Sequence, residues 1–151
     1  MTDRQRFSVR THDALVAAGW HPGRKVHHDV ERWGDLLDTP GSFQMFPRAR
    51  EVLLEFGGLR VEQAGPGVDC ARAPFHVEPT LALGESDRFR SHEATVGARL
   101  YPLGEAMGGH AFLAMAEDGR IFFLMDDTRY LGPSFDEALE SLIEGKLPKE
   151  M

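Results

Sequence analysis

Histidine and acidic residues occur together in the first third of the chain, where they could bind a metal ion. His27 and His28 precede Asp29 and Glu31, and imidazole and carboxylate groups are common zinc ligands. Adjacent residues of a helix or strand point in different directions, however, and no HExxH or CxxC spacing is present. The pattern favours a solvated turn that leads into a helix, and we predict neither a metal site nor another cofactor.

The single cysteine, Cys70, is the candidate nucleophile. It lies in a segment rich in glycine and proline, beside Asp69 and Arg72, and a nearby cation favours the reactive thiolate. Nucleophilic catalysis also needs a positioned base, and the sequence singles out none. No serine lies in a GxSxG turn. An incidental free thiol is therefore the preferred interpretation, and we predict no catalytic residue.

Two further patterns resemble parts of ligand-binding or catalytic sites. Segment 104–109, GEAMGG, lacks both the GK[ST] ending of a P-loop and the helix that a GxGxxG motif opens, so a tight connection between strands explains it better. Carboxylates are adjacent at Glu117 and Asp118 and again at Asp126 and Asp127. Acid–base catalysis needs two carboxylates that converge across a cleft, which adjacency in sequence does not indicate.

The acidic residues are instead candidates for a binding surface, because they are concentrated in the last third of the chain. One interpretation is that they confer solubility and stabilise the amino terminus of the last helix. The alternative is an acidic patch on which a basic partner docks. For that alternative we predict partner contacts at Glu105, Glu117, Asp118, Asp126 and Asp127.

Helices are predicted at both ends of the chain. Apolar stripes at helical spacing indicate helices over 8–18, 29–37 and 46–56, and glycine or proline follows each of them. The polar segment 85–95 is predicted as a surface helix, with a mobile loop as the alternative. A closing helix follows Asp126, Asp127 and Thr128, with Ser134 and Glu137 as a capping box.

Strands are predicted between these helices, since the hydrophobic period changes from 3.6 to 2 near Leu59. Short apolar runs predict strands over 59–63, 74–79 and 98–103, and Asp118–Gly119 predicts the turn of a hairpin. We expect a single α+β domain over 1–151, with its core at about 8–147. It has amino-terminal helices, a central and mostly antiparallel sheet of about four to six strands, and a carboxyl-terminal helix packed on the sheet.

Composition and charge narrow the function further. The 151 residues include 17 Lys and Arg and 24 Asp and Glu, which gives a net charge of −7. This excess of acid argues against nucleic-acid binding. One cysteine permits no intramolecular disulfide, which favours the cytoplasm. No apolar run is typical of a signal peptide or long enough for a membrane span, so we predict no membrane association.

Six segments of the chain form a recognisable series. They are 17–26 (AAGWHPGRKV), the helix around Trp33, 53–61 (LLEFGGLRV), 102–105 (PLGE), 118–124 (DGRIFFL) and 131–145 (LGPSFDEALESLIEG). In order and spacing, over about residues 8–147, they resemble the SUKH superfamily. More narrowly, they are similar to its third subgroup, the immunity proteins of bacterial polymorphic toxin systems.

The resemblance implies an α+β fold and a non-catalytic role in which the protein binds and blocks a cognate toxin, often a nuclease or a nucleic-acid deaminase. Most of the signature positions that it implies have a structural character, since glycines serve turns and caps. Arg24 either forms a salt bridge within the scaffold or faces the partner. The signature positions are Trp20, Gly23, Arg24, Phe56, Gly57, Gly58, Gly104, Gly119, Gly132 and Leu139.

Three functions are therefore compared. The first is an immunity protein that occupies a basic surface of its toxin, for which a net charge of −7 is suitable. The second is an intracellular regulatory or protein-interaction domain of the same fold. The third is a small metal-dependent hydrolase that uses His27 and His28. We favour the first, and we make no prediction of the toxin's identity or of the oligomeric state.

Overall fold

The computed structural model describes residues 6–150; the predicted domain also includes residues 1–5 and 151, which lie outside this range. Helices and strands alternate unevenly along the chain. The α-helices are α1 (Val9–Ala18), α2 (His27–Leu37), α3 (Pro47–Phe56), α4 (Ser86–Val96) and α5 (Phe135–Glu144). The strands are β1 (Arg60–Val61), β2 (Phe75–His76), β3 (Leu100–Ala106), β4 (Ala111–Ala116), β5 (Ile121–Leu124), β6 (Thr128–Gly132) and β7 (Lys149–Glu150).

The helix ends follow from local capping chemistry. The Ser8 side chain accepts a hydrogen bond from the Thr11 amide at the start of α1, and Ser134 accepts one from the Glu137 amide at the start of α5. Gly19 and Gly145 end these two helices in the left-handed conformation that glycine adopts without strain. The polar segment 85–95 forms helix α4, so the predicted helix is confirmed and the loop alternative is wrong.

Within residues 6–150, seven strands form one antiparallel sheet in sequence order, β1 to β7. The α+β class is confirmed, although the strand number exceeds the predicted four to six. Strand β6 separates Asp126 and Asp127 from the closing helix, whereas the sequence predicted that the helix follows directly. Strands β1 and β2 have two residues each, so the predicted runs 59–63 and 74–79 are mostly loop.

Helices cover both faces of the central strands, which explains why every residue of β5 is buried. Directly paired residues share a face of the sheet, and Phe112 pairs with Leu124 while Leu113 pairs with Phe123. Phe89 of α4 contacts Phe112, with 5.4 Å between ring centroids. On the opposite face α5 places Leu142 beside Phe123, so the predicted packing of the last helix on the sheet is confirmed.

The helices of residues 6–150 are all too short or too polar to cross a membrane. The buried side chains instead form one core that includes Trp33, Tyr101 and Phe122. The turns at the two ends of the sheet, β4–β5 and β5–β6, emerge from this core and carry four of the five acidic residues predicted to contact a partner; Glu105 lies in β3.

Candidate partner-binding surface

The acidic residues predicted to contact a partner lie at two opposite ends of the sheet. Glu117 and Asp118 lie in the β4–β5 turn, whereas Asp126 and Asp127 lie in the β5–β6 turn. Strand β5 joins the two turns, so they are separated by its whole length. The structure therefore does not bring these four carboxylates together in one patch.

Glu105 belongs to the end of the sheet that carries the β5–β6 turn. It pairs with Phe112 across β3 and β4, and Phe112 pairs in turn with Leu124, the last residue of β5. Glu105 is half-buried. Three of the predicted contacts, Glu105, Asp126 and Asp127, therefore share one end of the sheet.

The carboxylates at the β4–β5 turn are already paired with arginines. Arg99 lies 3.1 Å from Glu117 and Arg120 lies 2.9 Å from Asp118. The hydrogen bond from Arg99 lowers the pKa of Glu117, and the one from Arg120 lowers the pKa of Asp118. Arg48 also donates a hydrogen bond to the Asp118 carbonyl oxygen at 2.9 Å. This end consequently presents a mixture of both charges.

At the β5–β6 turn, one of the two carboxylates is paired with an arginine and the other is not. Asp127 accepts hydrogen bonds from Arg129 at 3.2 Å, and this contact raises the pKa of the guanidinium. Asp126 is exposed, and within residues 6–150 its carboxylate has no ion-pair partner. An exposed carboxylate without an ion-pair partner is available to a cation of another molecule.

Two concave surfaces flank the β5–β6 turn, and Asp126 and Asp127 line both. One is a cleft of about 340 Å³, which α4 and β7 also form. The other is a shallower depression of about 640 Å³. The cleft is further lined by Ser91, His92, Thr95, Thr128 and Glu150. The depression is further lined by Arg88, Gly109, His110, Met125 and Arg129.

His92 lies at the base of the cleft and was missed by the sequence analysis. It is buried, and its Nδ1 lies 2.6 Å from Thr128 Oγ1. Burial, and then the charge of Arg88, lower the pKa of this imidazole. Its spacing from Phe89 and Val96 places all three on one face of α4, which is the signal that could have identified it.

The signature residue Trp20 is buried at the junction of α1 and α3. Its Nε1 donates a hydrogen bond to Glu55 at 2.9 Å, and its ring stacks on Phe56 with 6.5 Å between centroids. Arg6 bridges Glu55 and Asp136 at 2.8 and 2.7 Å. These contacts join the amino-terminal segment to α3 and α5.

Arg24 bonds to the scaffold at the end of α3. Its guanidinium donates to the carbonyl oxygens of Glu55 and Gly57, at 2.7 and 2.8 Å. The last carbonyls of a helix have no partner within the helix, so Arg24 satisfies groups that would otherwise be left open. Of the two alternatives for this residue, the contacts favour a scaffold position, although with the backbone rather than with a carboxylate.

The signature glycines lie where the chain is crowded or turns. A Cβ on Gly57 would lie 2.5 Å from the Trp33 ring, and a Cβ on Gly104 would lie against the His76 carbonyl oxygen. Both positions thus exclude a side chain. The remaining signature residues lie in the turn after Trp20 (Gly23), after α3 (Gly58), in the β4–β5 turn (Gly119), at the end of β6 (Gly132) and in the buried face of α5 (Leu139).

The residues considered for catalysis or metal binding, His27, His28 and Cys70, lie in separate parts of the fold. His27 and His28 are exposed in the first turn of α2. Cys70 is half-buried, and its Sγ lies 3.4 Å from the Gly145 carbonyl oxygen. In the part of the chain from 6 to 150, no three His, Cys, Asp or Glu side chains are arranged to hold a metal ion.

Comparison with known families identifies the family of this chain. The model of the SUKH-3 immunity protein family matches residues 7–145. The chain belongs to this family. No curated protein and no solved structure matches it significantly. Membership of the SUKH-3 family implies an immunity function against a toxin, and it confirms the resemblance of the sequence to the third SUKH subgroup.

The SUKH-3 match includes both acidic turns but ends at Gly145. It covers all six segments that carry the resemblance, and the ten signature residues within them or between them are buried or lie at turns and helix ends. The tail from 146 to 150 lies beyond the match. The SUKH-3 scaffold therefore positions the β5–β6 turn, while the tail adds a surface beside it.

Proposed function

We propose that this protein is a non-catalytic inhibitor that binds a cognate toxin in the cytoplasm and blocks its active site. The toxin is a nuclease or a nucleic-acid deaminase, whose substrate-binding surface is basic. The observation that carries this proposal is the SUKH-3 match over residues 7–145, nearly the whole chain. A nucleic-acid enzyme needs Lys and Arg to bind phosphates, and a protein with a net charge of −7 complements such a surface.

The β5–β6 turn is the better candidate for contact with the toxin. At the β4–β5 turn, a toxin cation would have to compete with Arg99 for Glu117 and with Arg120 for Asp118. At the β5–β6 turn, Arg129 pairs with Asp127 in the same way, but Asp126 is exposed and has no ion-pair partner within residues 6–150. We therefore assign the primary contact to Asp126, with Asp127 and Glu105 beside it at the same end of the sheet, and place Glu117 and Asp118 outside the centre of the interface.

Co-expression of this protein with the toxin encoded by the adjacent gene tests the proposal. Cells that produce the toxin should grow only when the immunity protein is also produced. The purified proteins should form a stable complex in which toxin activity is lost. Toxin activity should return when the complex is dissociated, because binding leaves the toxin chemically unchanged. Failure of a folded immunity protein to restore growth, or a permanently modified toxin, would contradict the proposal.

A further inference from the structure

A groove lined mainly by apolar side chains lies next to the β5–β6 turn. It has a volume of about 330 Å³ and runs between the end of α5, the following tail and the strands β5 and β6. Phe123 and Leu142 line it from the core, and Met107, Met125 and Leu147 line it nearer the surface. Scattered exposed apolar residues are normal, but a concavity lined mainly by apolar side chains is typical of a binding site.

The backbone fixes the positions of two of these side chains. Leu147 is 60% exposed, and its amide donates a hydrogen bond to Asp69 at 3.0 Å, which fixes its position. Met107 is the one non-glycine residue within 6–150 with a positive φ, at 57°. An L-residue in this conformation is strained. The backbone therefore fixes the positions from which Leu147 and Met107 line the groove.

The tail of the chain does not cover the groove. After Leu147 it forms β7, in which Lys149 pairs with Tyr130 and Glu150 pairs with Arg129 of β6. The backbone from 147 to 150 is thus fixed by Asp69 at one side and by the sheet at the other. Within residues 6–150 the groove is open to another molecule.

The groove and the acidic turn form one continuous surface. Met125 and Arg129 line the groove and also line the depression that contains Asp126 and Asp127. Protein interfaces commonly have an apolar centre, where a few buried anchors contribute most of the affinity, and a charged rim. The groove has the character of such a centre; Arg129 and Lys146 also line it, and Asp126 follows Met125 in the adjoining depression.

We propose that the groove receives an apolar side chain of the toxin, aromatic or aliphatic, and that a Lys or Arg next to it on the toxin pairs with Asp126. This proposal rests on the proposed function and names the anchor within that interface. Charge favours this occupant over a second copy of the chain. Each copy has a net charge of −7, which disfavours the association of two copies, whereas a basic toxin is attracted.

A charge placed at the groove tests the proposal. In Leu147→Asp a carboxylate replaces an exposed apolar side chain at the edge of the groove. The matched control is Leu36→Asp, because Leu36 is 49% exposed on α2 and lies outside the groove. Affinity is measured by calorimetric titration of the catalytically inactivated domain of the neighbouring toxin. We expect Leu147→Asp to weaken binding at least about tenfold, the effect of losing an interface anchor, and Leu36→Asp to stay within about twofold.

Other outcomes separate this inference from the proposed function. If the unaltered protein does not bind the toxin, the proposed function fails. If it binds and Leu147→Asp binds equally well, the function stands and the groove is not the anchor site. A dimer of the unaltered protein in light scattering that Leu147→Asp dissociates would show a second copy in the groove and overturn the inference. Should Leu147→Asp melt below the unaltered protein, Ala71→Glu repeats the test at another exposed position of the groove.

Discussion

At the scale of residues, the positions that identify the family and the positions available to a partner are different. Trp20 donates a hydrogen bond to Glu55, and Arg24 donates to the backbone at the end of α3. The Asp126 carboxylate, in contrast, has no ion-pair partner within residues 6–150. Signature residues of this kind maintain the scaffold, so variation among toxins is expected to be matched by variation at the turns and in the groove.

His92 gives the folded protein a predictable dependence on pH. Burial and Arg88 lower its pKa below the ordinary value near 6.5, so near that pH the unfolded chain binds more protons than the folded one. The stability contributed by neutral His92 is present above about pH 6.5 and is lost as the pH falls toward the lowered pKa. We expect the free energy of unfolding, measured with urea, to fall between about pH 7 and 5, and to fall less in His92→Gln.

His76 must be separated from this effect, because burial and Arg60 lower its pKa as well. The variant His76→Gln reports that contribution, and the double variant should show a flatter pH dependence than either single variant. A His92→Gln protein that loses stability toward acid as steeply as the unaltered protein would contradict the assignment. In that case, the buried contact between His92 and Thr128 would not be linked to protonation.

At the scale of elements, the FGG sequence after α3 illustrates how a short motif fixes packing. In Gly57→Ala the new Cβ would lie 2.5 Å from the Trp33 ring and would also clash with the Leu53 carbonyl oxygen. Overpacking of this kind costs about 1–3 kcal/mol. We expect that loss in urea unfolding. The control Gly34→Ala places a Cβ in open space on α2 and should stabilise by about 0.5–1 kcal/mol. Equal stability of the two variants would contradict the packing argument.

The helices could be predicted from the sequence more accurately than the last strands. Helices α1, α3 and α5 have apolar stripes and caps that are local in sequence, so their ends could be predicted to within one or two residues. Strand β6 could not be predicted, because its five residues, TRYLG, do not alternate between apolar and polar and follow two acidic turn residues. Strand β7 has two exposed polar residues and is defined only by backbone pairing with β6.

At the scale of the whole molecule, the candidate surface is assembled from segments far apart in sequence. The acidic pair at 126–127 could be predicted from the residues alone. Its neighbours could not: His92 comes from α4, Glu150 from β7, and Leu147 from the tail. Their convergence depends on the register of the sheet and on helix packing. For the same reason, the sequence did not reveal that the length of β5 separates Glu117 from Asp126. The single acidic patch that was predicted is divided between two ends of the sheet, which differ in how their carboxylates are paired with arginines.

This separation allows local charge to be distinguished from net charge. Asp126→Lys and Glu117→Lys change the net charge by the same amount, at opposite ends of the sheet and at exposed positions. If the toxin is steered to the β5–β6 turn, stopped-flow association at low salt should slow about tenfold for Asp126→Lys and less than about twofold for Glu117→Lys. The difference should shrink near 1 M salt, where the Debye length is about 3 Å. Equal slowing would show that the overall charge of −7, and not the turn, steers the encounter; greater slowing for Glu117→Lys would place the toxin at the other end of the sheet.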